Sequence, residues 1–343
     1  MNTIFFTADY HQTMSRNRYL AGALIRDGFH VIKGVPTKND TGSIWFHGLS
    51  LNEKHPISPG IIDHLRQFEG RIAFFMNDDH EFFHWSKIDR QLTEKAVGFY
   101  KNHWTDKSFP ADSAIMDKIG FVNPVLSPLS CYPGNDISKR KQRIFFIGKL
   151  TGNSISDIIR NQRFEIVSKL KASGLPFAGG LIQTRDFRIP DELITDPLKQ
   201  TDFHNELSSS SIVLAPWGFC PLTYRFWEGL ANRCLVVAPD FSNYRFAFHN
   251  LVPNVHYVSI RPDLTDLLDV CEYYLMNPDK AQAIADNGYN WFSEHASFRG
   301  ISLNYHISDI IYDSWKNLEL QKVNRSGFRF SARALYCRLK KRW

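Results

Sequence analysis

The sequence predicts an α/β protein made of two doubly wound, parallel-sheet domains, and three observations lead there. The chain has 343 residues, too many for one ordinary open sheet and enough for two domains of about 150 residues each. Short apolar, β-rich runs alternate with segments of helical spacing, which argues for parallel strands covered on both faces. The alternation stops at a turn-rich stretch, Tyr132–Gln142, and then restarts.

In the first half, Thr3–Ala8 is a β-rich run, Arg18–Arg26 carries helical spacing, and Gly28 stops that helix before a second strand at His30–Gly34. Strands follow at Ser43–Gly48 and Arg71–Asp78, with Pro59–Phe68 reading as the helix between them. The stretch from His80 to Pro110 is less regular and is expected to form helices and loops over the domain edge. Pro133-Gly134-Asn135-Asp136 is turn chemistry, and the charged Lys139-Arg140-Lys141 follows it.

Beyond that boundary the spacing predicts a strand over Arg143–Gly148, a helix over Phe164–Ala172, a strand over Ile212–Trp217, a helix over Pro221–Arg233 and a strand over Leu235–Asp240. His256–Ile260 and helices over Leu264–Met276, Asp279–Glu294 and His306–Leu318 complete the unit. The expected domains are therefore 1–131, a linker at 132–142, a second domain at 143–303, a C-terminal helix at 304–321 packing back towards the first domain, and a tail at 322–343.

The formal charge of +6 is concentrated in that tail, where Lys322–Trp343 carries eight Lys or Arg and no acid. The remaining 33 basic residues face 35 acidic ones, a net of −2. A nucleic-acid-binding domain spreads positive charge over a folded face, so no nucleic acid is expected as a partner. The five cysteines are scattered and never in CxxC spacing, which fits neither a disulfide framework nor a zinc site. No signal-peptide pattern opens the chain and no apolar run of membrane-spanning length occurs, so the expected location is the cytoplasm, at the inner face of the membrane. The tail mixes its basic residues with Phe328, Phe330, Leu335, Tyr336, Leu339 and Trp343, an amphipathic pattern suited to an anionic membrane surface.

The dinucleotide fingerprint GxGxxG, the P-loop, GxSxG and HExxH are all absent. The informative segment is Ala215–Asp240, in which a strand, the Gly218 turn, a helix and a second strand follow one another. Free N–H groups at a helix start form an anion site suited to a diphosphate. At 100° per residue, Pro221, Arg225, Glu228 and Asn232 share one face, while Leu222, Phe226, Trp227, Gly229 and Leu230 face the core. Arg225 can then neutralise a phosphate and Glu228 accept ribose hydroxyls; the plainer reading is an i,i+3 surface pair on an amphipathic helix.

Arg225-Phe226-Trp227-Glu228-Gly229-Leu230 and Cys234–Asp240 together resemble the donor-site signature of GT-B glycosyltransferases, nearest to the exostosin-like and CAP10-like families. Phe145–Gly152 with Arg160 and Arg163 is similar to the element that opens the CAP10-like donor domain. The resemblance implies two Rossmann-like domains facing across a cleft (GT-B), the first binding acceptor and the second a nucleotide-sugar. It implies a donor site of Gly148, Lys149, Thr151, Arg160, Arg163, Gly218, Arg225 and Glu228. Eight residues before Glu228 stands Cys220 rather than a second glutamate, so the retaining signature is incomplete and an inverting reaction is expected.

Inverting transfer needs a general base, expected on a loop after a first-domain strand, where Asp9 and Asp79 are the candidates. Each also has a structural alternative as a cap or solvated turn. Asn77-Asp78-Asp79 lacks the alternate-carboxylate spacing of a metal site, so no metal or other cofactor is expected beyond the donor itself. The expected activity is transfer of a sugar to a saccharide or lipid-linked acceptor in bacterial polysaccharide or lipopolysaccharide synthesis. The alternative is a non-catalytic nucleotide- or sugar-binding module.

Overall fold

The computed structural model describes residues 3–8, 29–49, 57–76, 83, 85–101, 103–105, 115, 118–121, 134–150, 156–185, 187–218, 222–246 and 251–295. These fall into two compact units, one holding the described residues of 1–125 together with Asn243–Ala247, the other those of 126–242 and 248–300.

The first unit is a six-stranded parallel sheet of β1 (Thr3–Ala8), β2 (His30–Lys33), β3 (Ile44–Gly48), β4 (Arg71–Met76), β5 (Ala96–Lys101) and β7 (Ile119–Phe121). The order is β2-β1-β3-β4-β5-β7. Central strands with both faces covered become continuous apolar runs, and Ile72–Met76 is buried throughout. Trp45, Phe74 and Phe99 pack on one face, while Phe6, Phe46, Phe75 and Tyr100 form an aromatic layer on the other, with Phe46 and Phe75 stacked at 4.5 Å. Helix α1 (Pro59–Gln67) starts with proline at its first position, where the missing N–H costs nothing. Helix α2 (Arg90–Lys95) is capped by the Asp89 carboxylate, which accepts from the Leu92 amide at 2.8 Å and holds Arg66 of α1 at 2.5 Å.

Within the span expected to be irregular, β5 joins the sheet beside β4. The sequence hides it because α2 runs into β5 with no turn residue between them: Ala96, the helix C-cap, is already extended and is the first strand residue. Two short strands, β6 (His103–Trp104) and β12 (Arg245–Phe246), pair antiparallel, so the chain re-enters the first unit at 243–247.

The second unit is a five-stranded parallel sheet in the order β13-β11-β10-β8-β9. Its strands are β8 (Lys141–Lys149), β9 (Phe177–Ile182), β10 (Ser210–Leu214), β11 (Leu235–Pro239) and β13 (Val258–Ile260). Helices α3 (Ser156–Ser173), α4 (Gln200–Ser208), α5 (Tyr224–Ala231), α6 (Leu267–Met276) and α7 (Pro278–His295) surround it. Ile144, Phe146, Ile212, Leu214, Leu235 and Val237 form one face of the core, and Phe145, Ile147, Val213, Leu207 and Cys234 the other.

Strand β9 and helix α4 have weak sequence signals. Gly179 lies in the edge strand at φ 119°, where a Cβ would stand 1.9 Å from the Phe146 carbonyl oxygen. Helix α4 is mostly polar, with Phe203 and Leu207 as its apolar contacts. The helix expected to begin at Pro221 begins instead at Tyr224 with Thr223 as its N-cap, so Pro221 is not its first residue. The expected helices Arg18–Arg26 and His306–Leu318 and the basic tail lie outside the described residues.

Candidate functional site

The second unit's strand order fixes where a ligand crevice can form. Its first strand, β8, lies between β9 and β10, so connections leave it in opposite directions. Ligands of open parallel sheets bind outside the carboxyl ends of the strands at such a switch point. There β8 ends in Gly148-Lys149, and β10 continues through Ala215, Pro216 and Trp217 to Gly218. Both sequence motifs therefore meet at one end of the sheet, although Lys149 and Gly218 are 69 positions apart in the chain.

Helix α5 follows that turn, and its amphipathic spacing decides its faces. Phe226, Trp227, Gly229 and Leu230 are buried, and Gly229 lies so close to β11 that a Cβ would stand 2.5 Å from Val236 Cγ2. On the remaining face, Arg225 Nε stands 3.3 Å from Glu228 Oε2, both side chains being less than one-fifth exposed. Arg225 Nη2 donates to the Ile147 carbonyl near the end of β8 at 3.1 Å. Its guanidinium lies 4.2 Å from the Phe203 ring centroid, a cation–π contact from α4. Arg225 Nη1 and Thr223 Oγ1, at the helix start, are buried and make no hydrogen bond among the described residues.

Arg163, on α3, donates from Nε to the Trp217 carbonyl at 2.9 Å and from Nη1 to the Lys149 carbonyl at 2.8 Å. The preceding Gln162 accepts the Trp217 amide at 2.9 Å, and the Trp217 indole donates to Pro239 O at the end of β11 at 3.3 Å. Burial, and secondly repulsion from Arg225, push Arg163 down to about 10. Burial also lowers Arg225, against the opposing pull of Glu228. Desolvation raises Glu228 above the usual carboxylate range, with Arg225 and His204 acting the other way.

The structure thus brings Gly148, Lys149, Arg163, Gly218, Arg225 and Glu228 to one strand-end cluster. It gives Arg225 and Arg163 backbone partners that a helical wheel cannot show. Lys149 is exposed at the strand end. Thr151, Asp9 and Asp79 lie outside the described residues, as does the side chain of Arg160. By sequence, Asp9 directly follows β1, which lies between β2 and β3 at the first unit's own switch point, and Asp79 stands three residues beyond β4. At that switch point the Thr7 hydroxyl accepts the Trp45 indole N–H and lies 2.7 Å from His47 Nδ1. Sequence reasoning missed Gln162, Trp217 and His47; for Gln162 the signal was its place beside Arg163.

Among the described residues, no cluster of three His, Cys, Asp or Glu is placed to hold a metal ion, and no helix is long and apolar enough to cross a membrane.

No family model matches the chain. A 65-residue stretch is 33% identical to uncharacterized protein 035R of Invertebrate iridescent virus 3, covering 19% of this chain and 6% of that protein. Solved structures extend much further. An alpha-glucosyltransferase in complex with UDP and a 13-mer DNA superposes with a TM-score of 0.58 at 12% identity, over 92% of this chain and all of that one. Anabaena Alr3699/HepE in complex with UDP and glucose gives 0.55 at 11% identity, over 91% of this chain and all of that one. A glycosyltransferase from Rickettsia africae gives 0.50 at 12% identity, over 93% and 99%. At these identities the likeness establishes the fold, and the chain has the GT-B fold of two parallel-sheet α/β domains.

Proposed function

We propose that this protein is a nucleotide-sugar-dependent glycosyltransferase whose donor diphosphate binds at the β8/β10 switch point. The observation that carries the reading is an imbalance of charge. Two desolvated guanidiniums, Arg163 and Arg225, lie near enough to repel one another, and among the described residues only Glu228 pairs with one of them. Excess buried positive charge is costly unless an anion completes it, and the helix start beside it has a buried hydroxyl awaiting a partner. The fold likeness supports the same reading, since the alpha-glucosyltransferase and HepE structures carry UDP.

In this scheme Lys149, Arg225 and the amides at the start of α5 hold the diphosphate, with Gly148, Thr151 and Gly218 shaping the turns around it and Arg160 adding charge. Glu228 accepts hydrogen bonds from ribose hydroxyls. Asp79 or Asp9 takes the proton of the acceptor hydroxyl as its oxygen attacks the anomeric carbon. The bond to the diphosphate oxygen breaks with inversion, and the cationic cluster stabilises the departing diphosphate.

The acceptor class we infer is a saccharide or glycolipid of a bacterial surface polysaccharide or lipopolysaccharide. The basic 322–343 segment would bring the enzyme to the cytoplasmic membrane face. Residues 1–131 would form the acceptor domain and 143–303 the donor domain, joined at 132–142.

Thermal unfolding with UDP, GDP, CMP and their sugar conjugates tests the donor site. A nucleotide at about 100 times its dissociation constant adds roughly 2.7 kcal/mol. Stabilisation by one nucleotide class, reduced in Lys149→Ala, is expected; no stabilisation by any of them would overturn the reading.

A further inference from the structure

We infer that Arg163 is a positioning residue: with Gln162 it forms a bracket that holds the carboxyl ends of β8 and β10 at the separation a nucleoside diphosphate requires. The inference assigns the residue a role different from direct phosphate binding, and it rests on the donor-site reading above.

Two adjacent residues of α3 grip the amide and the carbonyl of one residue, Trp217. Gln162 Oε1 accepts the Trp217 amide at 2.9 Å, and Arg163 Nε donates to the Trp217 carbonyl at 2.9 Å. From the same guanidinium, Nη1 donates to the Lys149 carbonyl at 2.8 Å. One planar, rigid fork therefore spans the ends of two neighbouring strands, a geometry that guanidinium supplies and a flexible ammonium does not. Gln162 is 5% exposed, so its amide is committed to this contact rather than to solvent. Trp217 extends the bracket to a third strand through its indole bond to Pro239 O at 3.3 Å.

What the bracket holds is the pair of chain ends at Lys149 and at Trp217–Gly218, and a ligand lying across both meets them at a spacing set by these bonds. Errors of an ångström in such a site are expensive in affinity and rate.

The test compares wild type with Arg163→Lys, Arg163→Met and Gln162→Leu in the full chain. Calorimetric affinity for UDP is measured at low and high salt, beside hydrogen exchange of the amides in 147–150 and 214–218. A bracket predicts that all three variants lose at least about tenfold in affinity at either salt concentration, that Lys does not rescue, and that Gln162→Leu, which removes no charge, loses as much as Arg163→Met. Exchange then quickens in both segments together. A direct charge contact would instead leave Arg163→Lys and Gln162→Leu near wild type and confine the loss to Arg163→Met, larger at low salt, which would overturn the inference. Unchanged exchange in both segments, or a lower melting temperature with unchanged affinity, would overturn it too. If wild type binds neither UDP nor the other nucleotides, the donor-site reading falls, and the exchange measurement still decides whether the bracket exists.

Discussion

Arg225 and Glu228, one helical turn apart at the start of α5, form a 3.3 Å ion pair largely withdrawn from water, and the arginine also caps the Ile147 carbonyl of β8. A surface pair at this spacing contributes a few tenths of a kcal/mol. Here burial changes the scale, because loss of either partner strands the other in a poorly solvated place.

Arg225→Met, which strands the Glu228 carboxylate without its partner, should lower the free energy of unfolding by roughly 3–5 kcal/mol, Glu228→Gln by clearly less because desolvation already favours the neutral form, and Arg225→Met/Glu228→Leu by less than the sum. Urea titrations of the three variants measure this. Additive losses would show that the two groups do not act as a pair.

Glu228 also sets a pH dependence. Its folded-state value lies above the ordinary 4.5, chiefly through desolvation, so the folded protein binds the proton more tightly than the unfolded chain. Its contribution is therefore fullest below the ordinary value and is lost as pH rises through the folded value. Melting curves between about pH 4 and 7 should show a downward component in wild type that Glu228→Gln lacks.

Arg233 occupies the left-handed position after α5 at φ 57°, where glycine is usual. The Arg233 and Cys234 amides close the helix on Leu230 O and Gly229 O, each at 3.0 Å. The side chain is held by Asp286 and by Asp136, the latter at 2.9 Å. Arg233→Ala loses both ion pairs and keeps the backbone strain, whereas Arg233→Gly loses the pairs and relieves it. The alanine variant should be less stable than the glycine variant by about 1 kcal/mol, as read from denaturant midpoints.

Gly179→Ala tests the edge strand. At φ 119° with a backbone oxygen 1.9 Å from the new Cβ, no side-chain adjustment relieves the clash. The loss of stability should exceed about 1 kcal/mol, and the β8–β9 amides should exchange faster. Gly60→Ala, on α1 with open space around its Cβ, is the control and should leave the melting temperature unchanged or raised.

Local sequence was informative wherever one short segment carried its own signal. The apolar run Ile72–Met76, the proline at the start of α1 and the core-facing stripe Phe226, Trp227 and Leu230 all state their roles within a few residues. By contrast, β5 follows a helix without punctuation and β9 is interrupted by two glycines, so their places come from pairing with β4 and β8. The helix start was misplaced by three residues because Pro221 and Thr223 both carry helix-start chemistry, and local sequence does not decide between them.

The sequence by itself determined that the chain builds two parallel-sheet units and that residues 143–240 hold a strand–turn–helix frame with Arg225 and Glu228 on one helical face. Those properties follow from periodicity and turn chemistry, which act over a few residues. Only the tertiary structure decided that Lys149 and Trp217 would end neighbouring strands and that Arg163 would bridge their carbonyls. It also turned Arg225 against Ile147 and Phe203. Those contacts depend on strand order, since a guanidinium meets whichever carbonyl the sheet brings within reach, and that order arises from burial of the whole core rather than from any local segment.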